Sequence, residues 1–237
     1  MAEAARTETY AGPAVELPRW LAERHRSMAV GELLDLQLAI VGPDPAPGVA
    51  ALVEGAGFGE HGPVGDRHRL ERLHTLPDWV GPGMRALVVG LNPSPASADH
   101  GVAFARPGNR FWPAALRAGL VSVDRDPHHA LTRHGIGFTD LAKRTTRTAA
   151  ELTTDDYRHG LDRLDALAAW LAPERLIVVG LTGWRAGRQP KATAGWQPTT
   201  VGGRPVYLMP NTSGLNAHTT PDGFVSHFAT ASGAIPG

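Results

Sequence analysis

The first residue of chemical interest is Asn92, which follows a short apolar segment ending at Gly90. Residues 86–90 read Ala-Leu-Val-Val-Gly, a pattern typical of a buried strand that opens into a loop. Pro93 biases Asn92 toward an extended conformation and so holds its amide at the end of the strand. An uncharged amide can orient a water molecule, but it cannot act as a general base. Because ligands of open α/β sheets bind at the carboxyl ends of strands, Asn92 is the leading catalytic candidate.

Two separated motifs resemble those of the mismatch-specific uracil/thymine DNA glycosylases, a family of the uracil-DNA glycosylase superfamily. The first joins Gly90-Leu91-Asn92-Pro93 to Phe104-Ala105-Arg106-Pro107-Gly108-Asn109-Arg110-Phe111-Trp112. The second, Pro210-Asn211-Thr212-Ser213-Gly214-Leu215, resembles a motif that usually reads Asn-Pro-Ser-Gly-Leu-Ser in that family. Between them, Gly137-Phe138-Thr139-Asp140-Leu141 and Val178-Val179-Gly180 also match. Because both motifs occur in the family's order, the resemblance is specific.

The resemblance implies a DNA repair enzyme that hydrolyses the N-glycosidic bond of uracil, and of thymine or other damaged pyrimidines, in mismatched duplex DNA. Such an enzyme rotates the base out of the helix into a pocket before cleaving the bond. Asn92 would orient the attacking water, and Phe104 would stack on the extruded base. The side chains expected to form the base pocket are those of Leu91, Ser97, Phe104, Asp140 and Asn211.

The second motif carries a leucine in an otherwise polar loop. By the resemblance, Leu215 fills the gap that the extruded base leaves in the stack, and the alternative is that it folds onto the core. The residues expected to contact DNA are Arg106, Asn109, Arg110, Ser213, Gly214, Leu215, Asn216 and His218. The motif departs from the family pattern at Thr212, where proline is usual, at Asn216, where serine is usual, and at Ala217, where a basic residue is common. We expect His218 to replace part of the missing contact, and the preferred opposite base stays open.

The elements that position these residues are those of an α/β protein. Residues 86–90, 176–180 and 206–209 predict buried strands, and a further strand is expected near Thr199 to Val201. Amphipathic spacing predicts a helix that begins after Thr153 or Thr154 and stops at Pro173, with others after Asn109 and after Pro221. We therefore expect a three-layer α/β/α fold around a mostly parallel sheet of about four or five strands, like that of uracil-DNA glycosylases.

The first part of the chain carries no functional motif. We divide the protein into an N-terminal extension, residues 1–68, which is partly irregular and has no assigned function, and a glycosylase domain, residues 69–237. Residues 1–17 read as a frayed terminus, and residues 41–68, rich in glycine, proline and histidine, as either a surface excursion or a poorly ordered segment. Helices are expected from about Ser27 to Ala39 and near residues 67–73.

Composition limits the possible chemistry. The absence of cysteine among the 237 residues excludes disulfides, thiol catalysis and a cysteine-ligated iron–sulfur cluster. The formal net charge is zero, so DNA binding would need a local basic patch. The polar N-terminus and the lack of long apolar segments favour a cytoplasmic protein, and we expect a monomer without a cofactor. His128, His129 and His134 lack the ligand spacing of a zinc site, so we expect no metal.

Two other classes of function remain open from the sequence. The Val-Val-Gly strand end and the neutral charge would also suit a nucleotide- or nucleoside-binding α/β protein without glycosylase activity. That protein would not be of the dinucleotide-binding type, because neither Gly90 nor Gly180 begins a Gly-x-Gly-x-x-Gly segment. A structural or partner-binding role draws only on the unassigned N-terminal extension.

If the protein is a glycosylase, we expect it to leave an abasic site without cutting the strand. Strand cleavage by a glycosylase needs an amine that forms a Schiff base, and neither motif contains a lysine. The nearest candidates, Lys143 and Lys191, are expected to be surface or phosphate-facing residues. Borohydride reduction during turnover should therefore trap no covalent protein–DNA adduct, and a trapped adduct would contradict a monofunctional mechanism.

Overall fold

A computed structural model describes residues 5–233 of the chain. Its N-terminal part is an ordered module built on a four-stranded sheet with the order β1-β2-β4-β3. Strands β1 and β2 pair in parallel, and the other neighbours are antiparallel. The elements of this module are β1 (Arg6–Pro13), α1 (Leu17–Ser27), β2 (Leu33–Val41), α2 (Val49–Gly55), β3 (Phe58–Val64) and β4 (Arg67–Arg72).

Several predictions of local structure for this part of the chain are wrong. The helix expected from Ser27 to Ala39 is strand β2, in which Leu34, Leu36, Leu38 and Ile40 alternate with period two, the spacing of a strand. The terminus expected to fray contains β1, which gains its hydrogen bonds only by pairing with β2. Residues 67–73, expected to be helical, contain β4, and the expected surface excursion holds α2 and β3. The boundary drawn between residues 68 and 69 falls inside β4.

A second sheet of five strands carries the remaining chain. Its order is β6-β5-β7-β9-β8; the first four strands run parallel, and only β8 is antiparallel to its neighbour. The strands are β5 (Ala86–Gly90), β6 (Ile136–Asp140), β7 (Leu176–Val179), β8 (Gly195–Trp196) and β9 (Val206–Met209). The helices are α3 (Pro95–His100), α4 (Phe111–Arg117), α5 (Pro127–His134), α6 (Thr154–Leu171), α7 (Thr182–Gly187) and α8 (Pro221–Ser232).

Both faces of this sheet are covered by helices, as expected for a three-layer fold. Alternate side chains of β5 point to opposite faces: Leu87 and Val89 join an apolar cluster with α6, whereas Val88 joins a second cluster with α4 and α8. A parallel sheet buried on both sides explains why these strands read as continuous apolar segments. The mostly parallel α/β architecture inferred from the sequence is confirmed.

Most residues predicted to begin or end a helix lie at a helix end in the structure. Thr153 and Asp156 form a reciprocal capping box at the start of α6, and the helix ends just before Pro173. The Asn109 side chain accepts a hydrogen bond from the Phe111 backbone N–H at the start of α4. The strand expected near Thr199 to Val201 is wrong, because Val201 makes only an isolated bridge to Arg204 and the edge strand lies earlier, at Gly195–Trp196.

The N-terminal module packs directly against the second sheet. One apolar cluster includes Leu17 and Leu34 of the module together with Leu87 of β5. At the junction, the Thr75 hydroxyl donates to the Lys143 carbonyl at 2.5 Å, and the Asp78 N–H donates to the Gly55 carbonyl at 2.8 Å. The module therefore supports the segment that leads into β5. Within residues 5–233, no helix combines the length and the apolar character that crossing a bilayer requires.

Candidate active site

A small cavity of about 160 Å³ opens at the carboxyl ends of β5 and β6. These strands pair so that Gly90 lies opposite Asp140. A Cβ atom on Gly90 would lie only 2.2 Å from the Asp140 Oδ1, so glycine is required for the carboxylate to occupy this place. The lining includes Leu76, Leu91, Asn92, Pro93, Ser94, Ser97, Ala103, Phe104, Arg106, Asn109, Asp140 and Ser213.

The Asn92 side chain is held in one orientation by the loop after β6. Its Nδ2 lies within 3.1 Å of three acceptors: the Pro93 carbonyl, the Arg144 carbonyl and, at 2.7 Å, the Thr146 hydroxyl. The Thr146 hydroxyl gives its own hydrogen to the Thr148 carbonyl at 2.9 Å, so it can only accept from Asn92. Carbonyl oxygens also only accept, so the nitrogen must face this loop. The amide Oδ1 is thereby left as the acceptor that Asn92 presents to the cavity.

Asp140 is the buried carboxylate of the site. Burial raises the pKa of its carboxyl to about 6; Lys143 and Arg163 oppose the rise, and the Asp78 charge adds to it. Among the described residues, its side-chain oxygens have no hydrogen-bond donor, although its backbone carbonyl accepts from Arg163 at 2.7 Å. A carboxyl with a pKa near neutrality, open to a cavity, is suited to accept a proton.

Phe104 lies on the wall of the cavity in an unusual backbone conformation. Its φ of 59° is in the left-handed region, which a bulky residue adopts only when its surroundings impose it. One face of the ring stacks on Phe111, with centroids 4.2 Å apart and an interplanar angle of 9°. Phe111 is fully buried, whereas Phe104 is partly exposed at the cavity. The strain thus places an aromatic face where a planar base would stack.

The loop between β9 and α8 exposes Leu215 beside this cavity. Its side chain is 83% exposed, the most of any large apolar residue in the described part of the chain. Gly214 lies against the turn that ends the first motif: a Cβ there would come within 2.9 Å of the Gly108 carbonyl. The expectation that Leu215 projects into solvent agrees with this exposure, and the alternative of a leucine folded onto the core is wrong.

The Arg110 side chain binds the loop between β9 and α8. Its guanidinium donates to the Ser213, Asn216 and Thr219 carbonyls, and it lies 4.9 Å from the Phe224 ring centroid. These bonds commit three of its N–H groups to the protein, and the direct contact of Arg110 with DNA stays a prediction. Arg110 fixes the loop that carries Leu215.

The other predicted site residues fall into two groups. Leu91, Ser97, Arg106, Asn109 and Ser213 line the small cavity with Asn92. Asn211 does not, because it lines a larger adjoining cavity of about 680 Å³ together with Leu215 and His218. The Asn216 amide is used inside the loop, where it donates to the Asn211 carbonyl at 2.8 Å. Asn211 therefore lies in the adjoining cavity, which shares Leu91, Arg106 and Ser213 with the small one, and its place in the base pocket stays a prediction.

Sequence reasoning missed several residues that the fold brings to the site. Thr146 orients Asn92, and Arg147 lies exposed on the rim of the larger cavity. Lys143, expected at the surface, is buried and donates to Asp78 at 2.8 Å. The only signal for these residues was the polar segment Lys143-Arg144-Thr145-Thr146-Arg147 directly after the strand that ends at Asp140.

Of the three histidines of α5, His129 and His134 lie together, with ring centroids 5.4 Å apart, and His128 makes a separate contact. His128 packs edge-on against Trp79, with ring centroids 5.6 Å apart, and His134 hydrogen-bonds to the Ser122 hydroxyl at 2.7 Å. Over residues 5–233, no group of three or more His, Cys, Asp or Glu side chains is arranged to hold a metal ion.

The chain is similar to known proteins in two comparisons. A solution NMR structure of a protein from Methanosarcina acetivorans, provisionally named a uracil DNA glycosylase, matches with 16% identity and a TM-score of 0.42. The match covers 65% of this chain and 95% of that one. The model of the uracil DNA glycosylase superfamily matches residues 77–230, which contain both motifs and the whole parallel sheet. With well over half of its residues matched, this chain belongs to the uracil DNA glycosylase superfamily.

Proposed function

We propose that this protein is a monofunctional glycosylase of the mismatch-specific type, which removes uracil from mismatched duplex DNA by rotating the base out of the helix. The observation that carries the proposal is the arrangement of Asn92 and Asp140 in one cavity beside an exposed leucine. An oriented amide oxygen, a buried carboxylate and an aromatic face supply the groups that the reaction requires.

Hydrolysis of an N-glycosidic bond proceeds through a sugar with oxocarbenium character. The Asn92 Oδ1 accepts a hydrogen bond from a water molecule and directs its oxygen at the sugar carbon. As the carbon–nitrogen bond breaks, the electron pair leaves with the base, the water oxygen bonds to the carbon, and the water proton passes to Asp140. Phe104 stacks on the departing base and holds it in the cavity.

The exposed leucine supports DNA, rather than a free nucleoside, as the substrate. Leu215 would enter the gap in the stack and prevent the base from returning. A module that binds nucleosides has no use for an apolar side chain projecting into solvent. The alternative of a nucleoside-binding protein without glycosylase activity is therefore less well supported.

A local group of cations supports DNA binding by a chain of zero net charge. Arg106 and Arg147 are exposed on the rim of the larger cavity, and neither side chain forms an ion pair with any described residue. His218 lies on the same rim. Because phosphate contacts release counterions, such a patch gives affinity without a basic protein overall.

Changing Asn92 tests the proposed reaction directly. The wild-type protein should release uracil from a duplex with uracil opposite guanine, detected as strand scission after alkali. Asn92→Ala should lower the single-turnover rate by about two orders of magnitude or more, because the water loses its acceptor. Binding to abasic product DNA is the control and should hardly change. A wild-type protein that releases no base, or a variant that keeps more than about a tenth of the rate, would contradict the assignment.

Thr146→Val should lower the single-turnover rate by between about twofold and tenfold, the effect of losing one hydrogen bond worth roughly 0.5–1.5 kcal/mol. The affinity for DNA should stay unchanged, because Thr146 acts through Asn92. The control is Thr145→Val, since the neighbouring hydroxyl donates to the His74 carbonyl and not to Asn92. Equal rate losses in the two variants would show that the loop, and not the Asn92 amide, is affected.

Leu215→Ala separates base extrusion from ordinary binding. The variant should excise uracil more slowly from duplex DNA, by the equivalent of a few kcal/mol of unstacking, and nearly normally from single-stranded DNA if that is a substrate. Its melting temperature should not change, because the side chain is exposed. Val30→Ala, at another exposed apolar residue, is the control and should leave both rates unchanged. Equal losses on both substrates would show that Leu215 does not fill the gap left by the extruded base.

A further inference from the structure

A group of buried charges lies behind the cavity and has no part in the reaction as described. Asp78 is its centre, with only 4% of its side chain exposed. One carboxylate oxygen accepts from the Thr139 hydroxyl at 2.7 Å and from the Lys143 ammonium at 2.8 Å. The other accepts from the Arg163 guanidinium at 2.6 Å. The structure thus buries one anion with two cations.

The same group holds the end of β6 in place. Besides its bond to Asp78, Arg163 donates to the Asp140 backbone carbonyl at 2.7 Å and to the Thr139 hydroxyl at 3.0 Å. Arg163 comes from α6, Thr139 from β6, and Asp78 from the segment before β5. Three separate elements therefore meet at the strand end that presents the Asp140 carboxylate.

The charges of this group do not balance among themselves. Arg163 alone would neutralise Asp78, and burying a second cation costs several kcal/mol of lost hydration unless an anion compensates it. Asp35, Asp78 and Asp140 are the buried carboxylates of the described chain, and Asp35 is paired with Arg69. The anion left for Lys143 to compensate is Asp140.

The other ionisable groups described near this pair contribute no further buried carboxylate. β5, which packs against β6, contributes no charged side chain, and Arg106 lies exposed at the mouth of the cavity. From the N-terminal module, the buried Arg72 adds a third cation, which donates to the His25 carbonyl at 3.4 Å, and the Arg72 and Lys143 charges both act on the His25 imidazole. Burial lowers the pKa of His25 to about 3, with the Arg72 and Lys143 charges adding to the effect, so this imidazole is neutral at physiological pH.

We propose that Lys143 is a positioning residue that acts electrostatically, keeping the buried Asp140 carboxylate ionised and able to take the proton of the attacking water. Arg163 and Asp78 hold Lys143 and the end of β6 in the required arrangement. The inference rests on the proposed function, because it assigns Asp140 the role of base. It also predicts a result that a purely structural role of Lys143 would not give, namely a change in the pH at which Asp140 titrates.

The test is the pH dependence of single-turnover excision of uracil from a duplex. In the wild type the rate should rise with pH as Asp140 loses its proton, and this limb should be absent in Asp140→Asn. In Lys143→Gln, which keeps a donor for Asp78 but removes the charge, the midpoint should move up by roughly 1 pH unit, the lower end of the effect of a neighbouring opposite charge. Lys143→Arg should restore it, and Lys191→Gln, at an exposed lysine, should not move it.

A second variant should shift the midpoint of the pH dependence in the opposite direction. Asp78→Asn removes the negative charge that opposes ionisation, so the midpoint should move down. Lower stability alone cannot move the midpoint in opposite directions. The titration of the Asp140 carboxyl, followed by NMR in the protein without DNA, should show the same shifts for any variant that folds. Unchanged midpoints in Lys143→Gln by both measurements would overturn the inference. A wild type that excises nothing would overturn the proposed function, while the NMR titration would still decide whether Lys143 controls Asp140.

Discussion

The rest of the structure depends on a buried carboxylate, Asp78, which cannot remain charged inside the protein without partners. Burial raises the pKa of this group, but the Arg163 and Lys143 charges, with hydrogen bonds from Lys143 and Thr139, hold it below its usual value. Removing one partner of such a buried pair typically costs about 3–5 kcal/mol, because the other charge is left uncompensated. The arrangement therefore fixes α6, the end of β6 and the segment before β5 as one unit, and the N-terminal module supports it through the bond from the Asp78 N–H to the Gly55 carbonyl.

This rigidity also fixes the positions of two polar groups at the candidate site. The amide of Asn92 has no charge and cannot remove a proton, but the loop after β6 holds it in one orientation. Burial raises the pKa of the Asp140 carboxyl, and the Lys143 and Arg163 charges oppose that rise. On the other side of the cavity, Arg110 holds the loop that exposes Leu215 through three backbone carbonyls. Contacts with the rest of the protein thus hold each of these groups in a fixed position.

By itself, the sequence determined the parallel sheet and the residues at its edge. Continuous apolar segments such as residues 86–90 indicate strands buried on both faces, and the capping residue Thr153 marks a helix start, because both signals depend only on near neighbours. The strand end at Asn92 and the motif around Leu215 also follow from local order in the chain. Local patterns were misleading in the N-terminal module. The leucines of residues 33–41 lie in a strand, with the alternation of a strand, and not in the predicted helix.

Only the tertiary structure decided which distant residues serve the site. Arg110 lies within a motif, yet its partners are 103 to 109 positions away, so its role in holding the loop that carries Leu215 could not be read from the chain. Lys143 gave the pattern of a surface lysine, and its burial follows from an ion pair with Asp78, 65 positions earlier. Strand β1 also forms only because β2 supplies its hydrogen-bond partners. In each case the free energy comes from a contact between segments far apart in the chain, and no local pattern of residue types encodes that contact.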